Sequence, residues 1–174
     1  MSAKPAPTRP APAKTGRRRS SRPGDPEFYS GDAYPMLESI GYLLKRLRAN
    51  LDRAVDAEMA ELDLTDVQWG PLLLLHNDMG NTAAELARTI CADTGAMTRL
   101  LDRLEAKGLV RRVPSAQDRR VVELELTPEG TRLCREIPYG LARVMNAMLN
   151  GFTPDEVETV KRLLRRMLAN AERL

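Results

Sequence analysis

Apolar side chains recur every three to four positions at Leu37, Ile40, Leu44, Leu47, Leu51 and Val55. This spacing gathers them on one face of a long helix. Thr65-Asp66-Val67-Gln68 follows as a capping box, in which hydroxyl and amide satisfy end N–H groups reciprocally, and it predicts a helix to about His76. Thr82-Ala83-Ala84-Glu85 is a second box and opens a short helix to about Ile90. Asp93 reads as the N-cap of a further helix through Lys107, which Gly108 closes.

The period then shortens. Val122, Leu124 and Leu126 alternate with Glu123 and Glu125, so residues 121–127 read as a half-buried strand. Residues 109–113 are its antiparallel partner, and the polar, basic stretch Pro114-Ser115-Ala116-Gln117-Asp118-Arg119-Arg120 forms the tip between them. Thr127-Pro128 restarts a helix, with Thr as cap and Pro in the first turn. Leu133, Ile137, Leu141, Val144 and Met148 line one side of it, Pro138 should kink it, and Gly151 ends it. Thr153-Pro154-Asp155-Glu156 opens a last helix, with Val157, Val160, Leu164, Met167 and Leu168 on its apolar side.

The fold class is therefore mainly α with a small β-hairpin. Two short helices followed by a basic two-stranded hairpin is the winged helix-turn-helix plan, with the hairpin as wing. In the helix 94–107, Met97, Leu100, Leu101 and Leu104 share a face for packing. The other face presents Thr94, Gly95, Thr98 and Arg99, followed by Asp102 and Arg103. A helix entering the major groove of DNA uses its first turns on base edges. Thr94 and Thr98 offer hydroxyls, Gly95 allows close approach, and Arg99 can grip guanine or a phosphate. Taken alone, the pattern also describes an ordinary amphipathic helix.

The hairpin adds Arg111, Arg112, Arg119 and Arg120 on a ribbon with little core of its own. Asp118 lies two residues before Arg120, on the same side of an extended backbone, where its carboxylate can hold the guanidinium. An arginine fixed in this way suits the minor groove, where negative potential concentrates. The alternative is a solvated turn with a weak surface ion pair. Helix and wing in this order speak against it.

Composition fits an aliphatic helical core, with 43% apolar but only 4% aromatic residues in 174. Charge is uneven. Residues 1–31 carry seven basic residues against Asp25 and Glu27, a net of +5, while the other 20 basic and 22 acidic residues give −2. That segment is rich in Pro, Ala, Ser and Arg and reads as a disordered tail, either simply solvated or a basic arm on DNA phosphates. Any DNA site in the folded part, residues 32–174, must come from local clustering.

No run of about 18 apolar residues marks a membrane helix, and no apolar stretch follows the basic start as in a secretory signal. Cys91 and Cys134 form neither a CxxC nor a disulfide framework, which fits a reducing, cytoplasmic setting. No HExxH, GxSxG or phosphate-binding glycine loop occurs, and His76 is the only histidine. We therefore expect no enzyme and no metal site.

The stretch Asp93-Thr94-Gly95-Ala96-Met97-Thr98-Arg99-Leu100-Leu101-Asp102-Arg103-Leu104-Glu105-Ala106-Lys107-Gly108-Leu109-Val110-Arg111-Arg112 resembles the recognition helix and first wing strand of MarR-family regulators. Ser115-Ala116-Gln117-Asp118-Arg119-Arg120, followed by Val122-Glu123-Leu124-Glu125-Leu126-Thr127-Pro128-Glu129-Gly130, resembles that family's wing and the next helix start. The likeness spans about residues 37–172. It implies a homodimeric repressor on a palindromic operator in double-stranded DNA, with half-sites about one helical turn apart. Residues 65–127 would form the DNA-binding part, and helices within 37–62 and 128–172 would interlock in the dimer. Arg99 would work in the major groove, and Arg120, held by Asp118, in the minor groove. Thr94, Gly95, Thr98, Arg103, Ser115 and Arg119 complete the expected DNA site.

The signal is less plain. Trp69, the only tryptophan, and His76 share a helical face with Leu72 and Leu73. They could line a pocket for a small aromatic acid or phenol, compounds the family often binds, or be a core tryptophan and a partly buried histidine. No other cofactor is implied. Cys91 and Cys134 offer a redox-responsive alternative, but a reactive thiol needs a depressed pKa and access. Peroxide-sensing members usually keep a cysteine near the start of the first helix, and this chain has none there. A winged-helix interaction or architectural module, with weak tail-driven DNA binding, is the remaining reading.

Overall fold

A computed structural model describes residues 27–174, in which the chain forms six α-helices and one two-stranded hairpin. Most of the basic tail expected over residues 1–31 lies outside the described residues.

Residues 27–39 belong to a unit separate from the rest, with short 3-10 turns at Gly31–Ala33 and Met36–Glu38. Ser39 is extended (φ −69°, ψ 143°), and its hydroxyl donates to the Met36 carbonyl at 2.9 Å. That extended residue interrupts the helix expected from Leu37, so α1 spans Ile40–Ala60. Its apolar face divides in two. Val55 and Met59 are buried, whereas Ile40, Leu44 and Leu47 stay exposed.

The box at Thr65 forms only in part. The Gln68 side-chain oxygen accepts the Thr65 N–H at 3.0 Å, but the Gln68 N–H donates to the Thr65 carbonyl at 3.0 Å and not to its hydroxyl, and the Asp66 N–H donates to Asp56 of α1 at 3.1 Å. Residues 66–68 thus stay a turn, and α2 begins later than expected, at Trp69–His76. The boxes at Thr82 and Thr153 form completely and open α3, Ala83–Thr89, and α6, Pro154–Ala171. Hydrogen bonds from the Asn81 N–H and from Thr82 hold the Glu85 carboxyl below its usual range.

The helix α4 spans Thr94–Ala106 and ends before Gly108, whose φ of +70° suits a residue without a side chain. The strands β1, Val110–Pro114, and β2, Val122–Leu126, pair antiparallel with Arg112 opposite Leu124. Leu124 is buried but Val122 is exposed, so the strand is half-buried only near its base. The Leu124 N–H also donates to the Asn81 carbonyl at 2.7 Å, tying the ribbon to the loop before α3.

The helix α5 runs unbroken over Pro128–Met148. Pro138 lies inside it, on the exposed side. Gly140 lets α1 approach closely, since a Cβ there would lie 3.0 Å from the Met59 Cε. Met59, Leu72, Leu86, Met97, Leu101, Leu104 and Ile137 are the fully sealed centre, joining α1 to α5 in one core. Each such leucine is worth roughly 2–5 kcal/mol against alanine. No side chain of α6 is buried. No helix among the described residues is long and apolar enough to cross a membrane.

Candidate nucleic-acid interface

The first turn of α4 contains no acidic residue. Its cap, Asp93, accepts the Ala96 N–H at 2.9 Å, so the carboxylate is already engaged. Unpaired N–H groups at such a helix end attract phosphate oxygens. Thr94, Gly95, Thr98 and Arg99 are all exposed here. The Thr98 hydroxyl donates to the Thr94 carbonyl at 3.0 Å, so it offers a partner an acceptor oxygen and a methyl group, but no proton. Arg99 has no carboxylate within ion-pair distance among the described residues.

Arg103 is placed elsewhere. It borders clefts lined by Arg48, Asp66 and Val67 and does not join the first-turn cluster.

The hairpin arginines divide into two pairs. Arg111 bonds Glu125 across the ribbon at 2.6 Å. Arg112 bonds Asp102 of α4 at 2.7 Å and also Glu105. Burial opposes the charge of Arg112, but these two carboxylates outweigh it and hold the guanidinium above its ordinary pKa. Arg119 and Arg120, at the tip, are exposed and have no ion-pair partner among the described residues.

Asp118 does not hold the Arg120 guanidinium. Its Oδ1 accepts the backbone N–H of Arg120 at 2.9 Å, and its carbonyl accepts the Val121 N–H at 2.8 Å. An aspartate two residues before an N–H closes a local turn more easily than it reaches a long, mobile side chain. Asp118 therefore shapes the tip and leaves Arg120 free. Ser115 is also a shaping residue. It is buried, its N–H donates to the Val121 carbonyl at 2.9 Å, and its Oγ accepts the Gln117 N–H.

Trp69 and His76 are not brought together. Trp69 lines a cavity of about 480 Å³ with Ile90, Cys91, Met97, Leu100 and Arg103. His76 is exposed at the end of α2 and is not among that cavity's lining residues. Sequence reasoning missed the partners of Trp69, because they come from α4 and the α3–α4 junction. Arg48 of α1 also reaches this cavity, bonded to Asp52 at 2.5 Å. A larger cleft beside β2 is lined by Asp78, Glu85, Glu123 and Glu125, and its carboxylates disfavour an anionic occupant.

The two thiols differ. Cys91 is exposed, in a left-handed conformation (φ 54°) just before α4. Cys134 is buried, its Sγ donates to the Leu72 carbonyl at 3.4 Å, and burial pushes its pKa up to about 11. At neutral pH Cys134 is therefore a protonated, poorly nucleophilic thiol.

Known proteins share this arrangement. The MarR family model matches residues 64–122, from within the α1–α2 loop to the start of β2. The multiple antibiotic resistance protein MarR of Salmonella typhimurium is 31% identical over 140 residues, covering 80% of this chain and 97% of that protein. The MarR protein of Escherichia coli K12 is 31% identical over the same length. The crystal structure of an E. coli MarR cysteine-to-serine mutant complexed with operator DNA superposes with a TM-score of 0.71 at 31% identity, covering 78% of this chain and 99% of that one.

Proposed function

This chain belongs to the MarR family and is a DNA-binding transcription regulator, and we propose that it acts as a homodimeric repressor released from a palindromic operator by a small aromatic acid. One observation carries the docking. The start of α4 holds no acid, and Arg99 beside it and Arg119 and Arg120 of the wing tip have no ion-pair partner among the described residues, so positive charge is left uncompensated at both ends of the reading head.

In this reading α4 enters the major groove. Thr94 and Thr98 meet base edges, Gly95 permits close approach, and Arg99 binds guanine or phosphate. Arg119 and Arg120 reach the backbone and the neighbouring minor groove. Asp118 and Ser115 shape the turn that presents them. Two copies would place two such heads on half-sites about one turn apart. The partner copy would cover the apolar stripes left open on α6 and the first half of α1.

The Trp69 cavity suits the effector. Trp69, Met97 and Leu100 offer an apolar wall for a ring, and Arg103 offers a cation for a carboxylate. Ile90, Cys91 and Ala92 border it and lead directly into the cap of α4. A ligand that favours one placement of that junction shifts the population of DNA-competent protein. His76 has no part in this site.

Fluorescence polarisation tests the proposal. The full chain is titrated against a duplex that it has itself selected from random sequence, with scrambled duplex as competitor, over a salt series. Binding that survives the competitor and is reversed by benzoic or cinnamic acids is the expected result. Equal collapse on both duplexes as salt rises would leave only non-specific charge.

A further inference from the structure

The outer half of the wing has little packing to fix its direction. Val110 and Leu124 are buried at its base, but Val121 and Val122 are exposed. A free ribbon of this kind would swing, and binding DNA would cost the entropy of stopping it. Arg112, in the middle of β1, supplies what packing does not. One Nη donates to Asp102 at 2.7 Å and the other donates to Glu105, both on α4. The Arg112 backbone N–H donates to the other Glu105 oxygen at 3.2 Å. Asp102 stands one turn beyond Thr98 and Arg99 on the same helix.

We propose that Arg112 is a positioning residue that locks the wing to the recognition helix through Asp102 and Glu105, so that the first turns of α4 and the Arg119–Arg120 tip meet a half-site as one rigid reader. The obvious alternative is that Arg112 binds a phosphate itself. The local charge disfavours that. One guanidinium sits between two carboxylates, so the cluster carries an excess negative charge, which repels a phosphate. Both of its Nη groups are also engaged within the fold. The same cluster makes sense as a brace, because two charge-assisted bonds of fixed fork geometry define an angle that one bond would not.

The inference rests on the docking described above, and the test separates the two. Affinity for the self-selected duplex is measured by polarisation for the full chain and for R120A, R112A and R112A/R120A. With docking as described, R120A alone weakens binding by about tenfold or more. With the wing unlocked by R112A, the tip no longer finds its place, and adding R120A costs about twofold or less. D102N/E105Q keeps Arg112 and nearly the same side-chain volumes but removes both carboxylates. It should reproduce the loss seen in R112A, and R120A should again add little. It also supplies the cycle if R112A proves poorly folded by circular dichroism. An equal cost for R120A in all backgrounds overturns the proposal. So does tighter binding by D102N/E105Q, which would reveal Arg112 as a phosphate ligand held in check. An R120A without effect in the unaltered chain overturns the docking, and the brace with it.

Discussion

A Cβ placed on Gly130 would lie 2.0 Å from the carbonyl oxygen of Leu109. The first turn of α5 therefore rests directly on the turn between α4 and β1. Thr127 completes the clasp, its N–H donating to the Leu109 carbonyl at 3.0 Å and its hydroxyl to the Gly108 carbonyl at 2.7 Å. The reading head and the long helix α5 thus meet backbone to backbone, where no rotamer change can relieve a clash. Gly130→Ala should destabilise the fold by about 1–3 kcal/mol or more. Urea unfolding at fixed protomer concentration checks this. An unchanged midpoint would mean that α5 backs away without cost.

The recognition surface separates two kinds of contact. Arg119→Ala should lower the slope of log affinity against log salt by about one, nearly equally on all sequences. Thr98→Ala should instead change which bases are preferred, because the lost methyl and acceptor oxygen carry no charge. Binding selections with each variant over a salt series test both. A Thr98→Ala profile identical to the parent would remove that residue from base contact.

Much of this was legible in the sequence, for local reasons. The caps at Thr82, Asp93, Thr127 and Thr153 each depend on residues within three positions, and each forms as expected. The box at Thr65 forms only in part: the Gln68 N–H bonds the Thr65 carbonyl and not its hydroxyl, in a turn whose Asp66 N–H is held by Asp56, ten residues away. The partners of the hairpin arginines were hidden for the same reason. Nothing near Arg112 in the chain indicates that its guanidinium turns back to Asp102 and Glu105. The Trp69–His76 pairing rested on helical spacing alone, and a shared face does not ensure a shared cavity.

The two cysteines should respond differently to reagent and to pH. Cys91 should react with an aromatic disulfide in the native protein, and Cys134 only after unfolding. Cys134 also ties stability to alkaline pH. Its folded pKa, about 11, lies above the ordinary 9.0, so the unfolded chain releases its proton first. Its contribution is complete below about pH 9 and falls as pH rises toward 11, by roughly 2–3 kcal/mol in all. Cys134→Ala should lack this part of the alkaline decline. Parallel stability curves for the two proteins would refute it.

On α6, Val160, Leu163, Leu164 and Met167 stand 38–40% exposed along one stripe. No residue of that helix is buried within the protomer. A charge there should therefore spare the protomer's core and act on assembly. Leu164→Glu should retain its helix content by circular dichroism yet dissociate in sedimentation equilibrium, with operator affinity falling in parallel. A stable dimer in that variant would place the interface elsewhere.

The effector cavity can be tested through its own reporter. Trp69 is the only tryptophan, so its fluorescence reports on that cavity and nowhere else. An aromatic acid bound there should quench it with the same midpoint at which DNA is released. Arg103→Ala removes the proposed carboxylate partner while leaving Thr94, Thr98, Arg99 and the wing tip in place. It should raise the acid concentration needed for both effects by about tenfold, the scale of one charge-assisted bond. DNA affinity without ligand should stay nearly constant. His76→Ala, outside the cavity, should alter neither curve. Release of DNA without any change in Trp69 fluorescence would move the effector to another site, even though repression by the same docking still held.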